Sequence, residues 1–432
     1  MKNKIILIFV LIGGVAFLNF SGIALSPFKT VDAERDISEL SETAFYGKTE
    51  YKTDEIIIKL KGEDKFKRAR LDSGDNVEKA IKRYRGKSEV EYAEPNYFAY
   101  AFMVPNDPYY KYQWHLDNAQ YGGINIETAW DISQGLGVIA AVIDTGTAYE
   151  NYQPSRRDKY YRAPDLANTS FAPGYDFVNN DTHPNDDNGH GTHVTGTIAQ
   201  SVNNNLGVAG TAFKATVMPI KVLDKSGNGT YADVADGIRW AADHGAKVIN
   251  LSLGGPAPAT YLEEAVAYAY NKGAVIAAAA GNDGSAAISY PAAYDNYVIA
   301  VGATRYDETL AYYSNYGPSL DLVAPGGDLR VDQNKDGYGD GVLQQTFYRK
   351  LNNWGYYFFS GTSMASPHIA GTAALLFAKA VADINGNGKV NDEIRMVLES
   401  SADDLGPVGR DDTYGHGLIN AAAALNWTPA TP

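Results

Sequence analysis

The segment FSGTSMASPH (359–368) runs directly into IAGTAALLFAKA (369–380), a series of small and apolar residues typical of a buried helix. Ser363 would fall in the first turn of that helix. There the backbone N–H groups lack intrahelical partners and the helix dipole favours negative charge, so an alkoxide or oxyanion can be stabilised. Most serines at helix starts are only capping residues. Ser363 is therefore a candidate nucleophile only if the chain also supplies a base, an orienting group and a second oxyanion donor.

The composition indicates a globular protein. The chain has 432 residues, of which 45% are hydrophobic and 20% charged, enough for a large α/β domain with smaller additions. The net charge of −14 argues against a nucleic-acid partner, because binding phosphates requires an excess of Lys and Arg. Cysteine is absent, which excludes disulfides and thiolate metal sites. An exported chain of this kind would need another source of stability, for which bound cations are suitable.

The N-terminus predicts export. A positive region (1–4) precedes an uncharged apolar run (5–18), and the small residues Ser21, Gly22 and Ala24 follow. This is the pattern of a secretory signal peptide, which we place at 1–24. An uncleaved membrane anchor is the alternative, but the apolar run is short for a span of about 20 residues. We therefore expect a secreted, extracellular protein without stable membrane association once the signal is removed.

A small α+β segment and one large domain should follow. Residues 54–60 and 90–97 have the character of strands, the second stopped by a proline turn, and 76–85 has the pattern of an amphipathic helix. We assign 25–102 to this small domain. No long linker interrupts 103–428, which we assign to a single large domain.

Two apolar runs predict buried parallel strands with polar residues at their carboxyl ends. In GVIAAVIDTG (137–146) the apolar run stops at Asp144. In AAAAGNDG (277–284) the apolar run is followed by Gly281 and Asn282. Ligands bind beyond the carboxyl ends of strands in open α/β sheets. Either residue alone could be an ordinary turn residue.

Between them lies NGHGTHVTGTIA (188–199), in which glycines flank His190. His190 and His193 could suggest zinc. That reading is weak, because Gly191 and Thr192 stand where an HExxH helix carries its glutamate and no third ligand is evident. We assign His190 as a base and His193 as a buried structural residue.

In their order, Asp144, HGTHVTGTIA, AAAAGN and SGTSMASPH resemble the subtilisin-like serine protease family, a likeness that extends over roughly residues 104 to 426. The resemblance implies an α/β, subtilisin-like three-layer fold with a mostly parallel central sheet. It also identifies 25–102 as a small α+β, ferredoxin-like propeptide domain and 103–428 as the peptidase domain. The same catalytic triad occurs in a different chain order on other folds.

The resemblance also implies the catalytic roles. Ser363 is the nucleophile, His190 the general base, Asp144 the residue that orients His190, and Asn282 with the Ser363 N–H the oxyanion donors. Pro367 is expected to be tolerated near the start of the helix, because backbone N–H groups in the first turn have no helical hydrogen-bond partner and the missing N–H costs no bond there. The implied protein is a serine endopeptidase that acts on protein and peptide substrates, is made as an autoprocessed precursor inhibited by its own propeptide, and is a monomer.

The implied substrate pocket consists of small residues, which leave room for a large apolar or aromatic P1 side chain. No acidic residue stands at the matching positions, so specificity for Lys or Arg is disfavoured. Tyr290-Pro291 matches a dipeptide that is cis in the family. The residues implied to bind substrate are Ser252, Leu253, Gly254, Gly227, Ala279, Ala280, Gly281 and Ser289.

Calcium, bound at more than one site, is the implied cofactor. One set resembles the strong calcium site of the family and comprises Asp107, Asp165, Val202, Asn204, Leu206 and Val208. A second set resembles a site of thermitase-like members and comprises Asp176, Asn179 and Asp181. His183 departs from that pattern, since those members carry a threonine there.

Two further segments, 332–340 and 383–391, have oxygen-bearing side chains at positions 1, 3, 5 and 9 with glycine at position 6. Neither has the glutamate of an EF-hand at position 12, where Leu343 and Ile394 stand. Both could be polar surface loops. We predict calcium at the first, through Asp332, Asn334, Asp336 and Asp340, and we also favour calcium at the second.

The alternative function is that of a catalytically inactive relative acting as a binding protein. Such a relative usually lacks at least one catalytic residue, whereas Asp144, His190, Asn282 and Ser363 are all present. An esterase would carry GxSxG around its serine, and a carboxyl-type relative would carry glutamate in place of His190. We assign no role to the inserted segment 149–162.

Overall fold

The computed structural model describes residues 51–71, 76–97, 103–116, 122–156 and 159–428. The predicted signal peptide (1–24) and the segment 98–102, which contains the predicted processing site, lie outside the described residues. The described residues fall into two compact units, one within Lys29–Phe102 and one within Met103–Pro432. No helix in the described ranges is long and apolar enough to cross a membrane.

The smaller unit is a three-stranded antiparallel sheet with one helix. Its elements are β1 (Tyr51–Leu60), β2 (Lys67–Arg70), α1 (Val77–Arg85) and β3 (Val90–Tyr97), and the strand order is β2-β1-β3. The sequence did not predict β2, because three of its four residues (KRAR) are charged, most are exposed, and they show no apolar alternation. The strand predicted over 90–97 is confirmed as β3, but the predicted proline turn was wrong, since the strand continues through Pro95. Pro95 is tolerated because β3 is an edge strand.

The larger unit contains ten strands and seven α-helices among its described residues. These are α2 (Ile126–Trp130), β4 (Ile139–Asp144), β5 (Ser170–Phe171), β6 (Tyr175–Asp176), α3 (His190–Ala199), β7 (Thr216–Lys221), α4 (Tyr231–Asp243), β8 (Val248–Leu251), α5 (Thr260–Asn271), β9 (Val275–Ala279), β10 (Ile299–Thr304), β11 (Leu322–Pro325), β12 (Val342–Phe347), β13 (Trp354–Phe359), α6 (Thr362–Lys379), α7 (Asn391–Ser400) and α8 (Ala421–Asn426).

Eight of these strands form one parallel sheet with helices on both faces. The order is β11-β10-β9-β8-β4-β7-β5, and β6 also pairs with β7. Successive residues of β4 point to opposite faces: Val142 packs into the core that includes α3 and α6, and Ile143 into the core that includes α4 and α5. Strands buried on both faces explain the continuous apolar runs of the sequence. The predicted three-layer α/β fold is confirmed.

The sheet order places three predicted polar residues at one edge. β8 lies between β4 and β9, so Asp144 at the end of β4, Ser252 just after β8 and Asn282 just after β9 lie beyond neighbouring carboxyl ends. The antiparallel pair β12–β13 then leads directly into α6, which carries Ser363.

Pro367 has a different role from the one that the sequence suggested. It is the sixth residue of α6, beyond the first turn, so its missing N–H leaves the carbonyl oxygen of Ser363 without its helical partner. The Ser252 hydroxyl donates a 2.8 Å hydrogen bond to that oxygen. Pro367 thereby allows the end of β8 to be joined to the start of α6.

Candidate active site

Asp144 and His190 form a direct hydrogen bond. His190 is the first residue of α3, and its Nδ1 lies 2.7 Å from Oδ1 of the fully buried Asp144. Because the carboxylate accepts, Nδ1 carries the hydrogen and Nε2 presents its lone pair. Nε2 is buried and has no hydrogen-bond partner among the described residues. Burial lowers the pKa of His190, but the charge and hydrogen bond of Asp144 outweigh it and hold that pKa above its ordinary value.

Asp186 positions this pair and was not identified from the sequence. Its Oδ1 accepts hydrogen bonds from the Gly189 N–H and the Thr145 hydroxyl, both at 2.9 Å. Its Oδ2 accepts from the Thr192 N–H at 2.9 Å and from the Thr192 hydroxyl at 2.6 Å. One buried carboxylate therefore holds Thr145, which follows Asp144, and also Gly189 and Thr192, which lie on either side of His190 in the chain. The only sequence signal was an acidic residue four positions before His190.

Ser363 lies at the second position of α6 and is nearly buried. Its hydroxyl donates a 3.2 Å hydrogen bond to the main-chain carbonyl of Ser252 instead of to His190 Nε2. Rotation of the side chain away from Ser252 would therefore have to precede proton transfer to a base. Hydrogen bonds between nucleophile and base are often unformed without substrate.

Asn282 is held in one orientation by Thr362. The Asn282 Oδ1 accepts hydrogen bonds from the Thr362 N–H at 2.9 Å and from the Thr362 hydroxyl at 3.0 Å. An N–H can only donate, so these contacts identify the oxygen end of the amide and leave Nδ2 as a donor beside the first turn of α6. The residue before it, Gly281, has φ of +113°, and a Cβ there would lie 2.3 Å from Asn315 Nδ2. Only glycine fits this turn.

The residues predicted to form the substrate pocket lie in two places. A Cβ on Gly254 would lie 3.0 Å from the Ser289 Cβ, and a Cβ on Gly281 would lie 2.6 Å from the Ser289 Oγ. Ala279 and Ala280 are buried beside Gly281, and Ser252 and Leu253 precede Gly254 along the chain. Gly227 lies apart, in a turn whose Lys225 carbonyl accepts a hydrogen bond from Asn188, two residues before His190. The dipeptide Tyr290-Pro291 is cis, as predicted.

Comparison with known proteins identifies the family of this chain. A model described as the subtilase family matches residues 135–417, more than half of the chain. The chain belongs to the subtilase family. A second model, described as the fervidolysin N-terminal prodomain, matches residues 62–96. This subtilase is a subtilisin-like serine protease with an N-terminal prodomain, and the predicted family and enzyme class are confirmed.

Two relatives resemble this subtilase over most of its length. Thermophilic serine proteinase of a Bacillus species is 44% identical over 355 residues, which are 82% of this chain and 77% of that protein. Thermitase of Thermoactinomyces vulgaris is 40% identical over 327 residues, which are 75% of this chain and all of that protein. A solved protease structure from Pseudoalteromonas arctica is 34% identical with a TM-score of 0.61, and the match covers 75% of this chain and 99% of that one.

The first predicted cation set of this subtilase comes together around a buried carboxylate. Asp165 is fully buried, and its two oxygens accept from Asn204 Nδ2 at 2.7 Å and from the Val208 N–H at 3.1 Å. Asp107 accepts from the Asn203 N–H at 2.8 Å. Burial raises the pKa of Asp165 to about 7, and no described Lys, Arg or His pairs with it. A bound cation would suit this set. The residues predicted to add carbonyl oxygens, Val202, Leu206 and Val208, belong to the same loop.

The second predicted set is compact as well. Both oxygens of Asp176 accept hydrogen bonds at 2.8 Å from Asn179, one from its N–H and one from its amide group. Asp176 and Asp181 form an antiparallel bridge. His183, the departure from the thermitase-like pattern, donates its N–H to Asp181 Oδ1 at 2.8 Å.

The inserted segment 149–162 explains the presence of His183. The His183 ring stacks on Tyr152 with centroids 3.7 Å apart, and its Nδ1 lies 2.8 Å from Glu150 Oε1. Tyr152 in turn forms an antiparallel bridge with Tyr160. The described parts of the insertion, 149–156 and 159–162, are thus joined through Tyr152 and Tyr160 and contact this candidate site through His183.

The 332–340 loop closes on itself. Asp336 N–H donates to Asn334 Oδ1 at 3.0 Å and to Asp332 Oδ1 at 3.1 Å. Asp340 is buried; its Oδ2 accepts from Gln333 N–H at 2.6 Å, and its Oδ1 has no partner in the described part of the chain. Burial raises the pKa of Asp340 to about 6. Across the described residues, no three acidic or histidine side chains lie close enough to hold a metal alone, so amide and carbonyl oxygens would have to contribute.

Proposed function

We propose that this subtilase is a secreted endopeptidase in which Ser363 attacks the scissile carbonyl and His190 accepts its proton. The observation that carries the proposal is the 2.7 Å hydrogen bond from His190 Nδ1 to Asp144. That bond leaves Nε2 as the basic nitrogen, and Asp144 would stabilise the imidazolium that forms. His190 would later return the proton to the leaving amine.

The oxyanion would be held by Asn282 Nδ2 and the Ser363 N–H. The first is supported by the Thr362 contacts that fix the Asn282 amide, and the second by the position of Ser363 in the first turn of α6. Donors that are already oriented stabilise charge that develops in the transition state without reorganisation.

The pocket favours a large apolar or aromatic P1 residue and broad specificity beyond it. Gly254 and Gly281 both lie against Ser289, and none of the residues assigned to this pocket is acidic, so a basic P1 residue would find no partner among them. Extended substrates would bind mainly through main-chain hydrogen bonds, which carry little sequence selectivity. Cleavage-site mapping on an unstructured protein such as casein tests this preference.

The precursor organisation proposed is a signal peptide (1–24), an inhibitory propeptide (25–102) and a monomeric peptidase (103–428) that releases itself by cleavage near Phe102. The prodomain match at 62–96 supports the middle assignment. Secretion is supported by the N-terminal sequence pattern. Mass spectrometry of the purified protein gives the mature N-terminus. Ser363→Ala should remain uncleaved, and normal processing of that variant would contradict self-cleavage.

Calcium is the cofactor proposed for the Asp107–Asp165–Asn204, Asp176–Asn179–Asp181 and Asp332–Asp340 sets. The support is their chemistry: each set combines carboxylate with amide oxygens, which is the donor type that Ca²⁺ prefers. The ions would stabilise the fold and take no part in peptide hydrolysis.

A further inference from the structure

A closed loop connects α6, the helix that carries Ser363, to α7. The Asp383 carboxylate accepts hydrogen bonds from the N–H groups of Gly386 at 2.7 Å and Gly388 at 2.8 Å. Asn385 Oδ1 accepts from the Asn387 N–H at 2.9 Å. Gly388 has φ of +81°, the left-handed turn at position 6 of the calcium-loop pattern. In the sequence the pattern lacked an acid at position 12.

Two acidic residues at positions 10 and 11 of the loop turn back into it. Glu393 is only 3% exposed, and its Oε1 accepts hydrogen bonds from the N–H groups of Ile384 at 3.0 Å and Asn385 at 3.1 Å. Asp392 Oδ2 accepts from the amide groups of Asn385 at 2.5 Å and Asn387 at 2.9 Å. The polar ends of these side chains therefore meet at one place.

One oxygen of each carboxyl group is buried without a partner. Glu393 Oε2 and Asp392 Oδ1 have no hydrogen-bond partner within the described residues. A helix N-terminus favours acidic residues in its first turn, which accounts for their position but leaves these two oxygens unsatisfied. The basic residues nearest in sequence are engaged elsewhere: Arg395 pairs with Asp321 at 2.6 Å and with Glu399 at 2.7 Å, and Lys389 donates to the Asn271 carbonyl at 3.2 Å. No salt bridge involves Asp392 or Glu393 among the described residues.

We propose that the 383–393 loop is a calcium site in which Asp392 and Glu393 supply the carboxylate oxygens that the pattern lacks at position 12. The amide oxygens of Asn385 and Asn387 would provide further ligands, because no three acidic side chains in the described residues lie close enough together to hold a metal by themselves. The amide groups that now donate to Asp392 would rotate by half a turn to present oxygen to the ion. Ca²⁺ accepts many oxygen ligands in flexible geometry, whereas Mg²⁺ demands a near-ideal octahedron. The ion would join the end of α6 to the start of α7, independently of the proposed family-like calcium sites.

The test counts bound ions in protein that cannot digest itself. The Ser363→Ala chain and the same chain with Asp392→Asn and Glu393→Gln are stripped with chelator, dialysed against CaCl₂ and analysed for calcium by mass spectrometry. We expect one Ca²⁺ fewer per chain in the variant and a smaller rise of Tm on CaCl₂ addition. Glu264→Gln, which neutralises an exposed carboxylate on α5, serves as the matched control and should change neither.

Equal calcium content and equal Tm response in the parent and double variant would overturn the proposal. If the double variant fails to fold, Asn387→Ala decides the question, because Asn387 is exposed and its replacement should not prevent folding. Calorimetric titration with CaCl₂ should then show one class of sites weakened by about tenfold or more. Unchanged affinities would also reject the site. Restoration of Tm by MgCl₂ at equal concentration would contradict the assignment to Ca²⁺.

Discussion

Ser252 and Ser363 exchange hydrogen bonds between the end of β8 and the start of α6. The Ser252 hydroxyl donates to the Ser363 carbonyl at 2.8 Å, and the Ser363 hydroxyl donates to the Ser252 carbonyl at 3.2 Å. The first bond exists because Pro367 has no N–H to offer that carbonyl. The proposed nucleophile, Ser363, is thereby attached to the sheet that also carries Asp144.

Replacing Ser252 by alanine should lower both stability and activity. The Ser363 carbonyl would lose its partner in a buried environment, which costs about 1–3 kcal/mol, and kcat should fall because the start of α6 is no longer held. Ser133→Ala is the matched control: its buried hydroxyl donates to the Leu375 carbonyl of the same helix at 2.8 Å, far from Ser363. Denaturant unfolding and peptide hydrolysis should show similar losses of stability and a loss of kcat only for Ser252→Ala. Equal kcat values in both variants would contradict this role.

Asn282→Asp should separate the catalytic role of Asn282 from its structural one. Aspartate can still accept both hydrogen bonds from Thr362, but it has no N–H₂ group to donate. We expect kcat to fall by about 10²–10³, the range known for loss of such an oxyanion donor in subtilisin, with little change in KM. Steady-state kinetics with a chromogenic peptide measures the effect. A variant with normal kcat would exclude Asn282 as an oxyanion donor.

The pH profile should report the pKa of His190. The imidazole is a base only when neutral, and Asp144 holds its pKa above the ordinary value despite the opposing effect of burial. The rise of kcat/KM with pH should therefore have its midpoint above about 6.5. Asp144→Asn should move the midpoint to lower pH and reduce kcat by about 10⁴. The exposed Asp412→Asn is the control, and a midpoint unmoved by Asp144→Asn would count against the pairing.

Acid should destabilise the fold through its buried histidines. Burial lowers the pKa of His193 to about 3 and that of His368 to about 4, so both stay neutral in the folded chain while the unfolded chain protonates below about 6.5. The free energy of unfolding is therefore unaffected by these histidines at neutral pH and decreases as pH falls from about 6.5 towards these values, because only the unfolded chain takes up the protons.

His193→Gln in the Ser363→Ala background should reduce the pH dependence of the free energy of unfolding. The variant lacks one group that takes up a proton on unfolding, so the slope of the free energy of unfolding against pH should fall by up to about 1.4 kcal/mol per pH unit between pH 6 and 4. Urea titrations across that range measure it. His244→Gln, at an exposed position, should leave the slope unchanged, and the same result for His193→Gln would disprove the linkage.

Chelation should lower Tm through the proposed site at Asp165. The buried carboxylate has no cationic partner among the described residues, so an ion that binds only the folded chain would stabilise it. We expect EDTA to lower Tm, and Asp165→Asn to lose most of this response. Differential scanning calorimetry with and without CaCl₂ checks both, with the exposed Asp236→Asn as control. A Tm insensitive to EDTA would contradict the calcium assignments.

The sequence by itself determined the family, the three-layer fold and the identity of the candidate triad. It could do so because each motif is continuous along the chain: an apolar strand ending in Asp144, a small-residue helix beginning at His190, and the helix beginning around Ser363. Local patterns of this kind set strands, helices and their polar ends without knowledge of distant contacts.

Only the tertiary structure decided which distant groups satisfy one another. The hydroxyl that replaces the missing N–H of Pro367 comes from Ser252, 111 residues before Ser363 in the chain. The acid that binds the N–H groups of Ile384 and Asn385 in the 383–393 loop is Glu393, one position before the place where the linear pattern would put an acid, because the start of α7 turns that side chain back into the loop. Buried polar groups must find partners wherever the packed chain brings them. These pairings depend on the sheet order and on helix packing, which no local stretch of sequence contains.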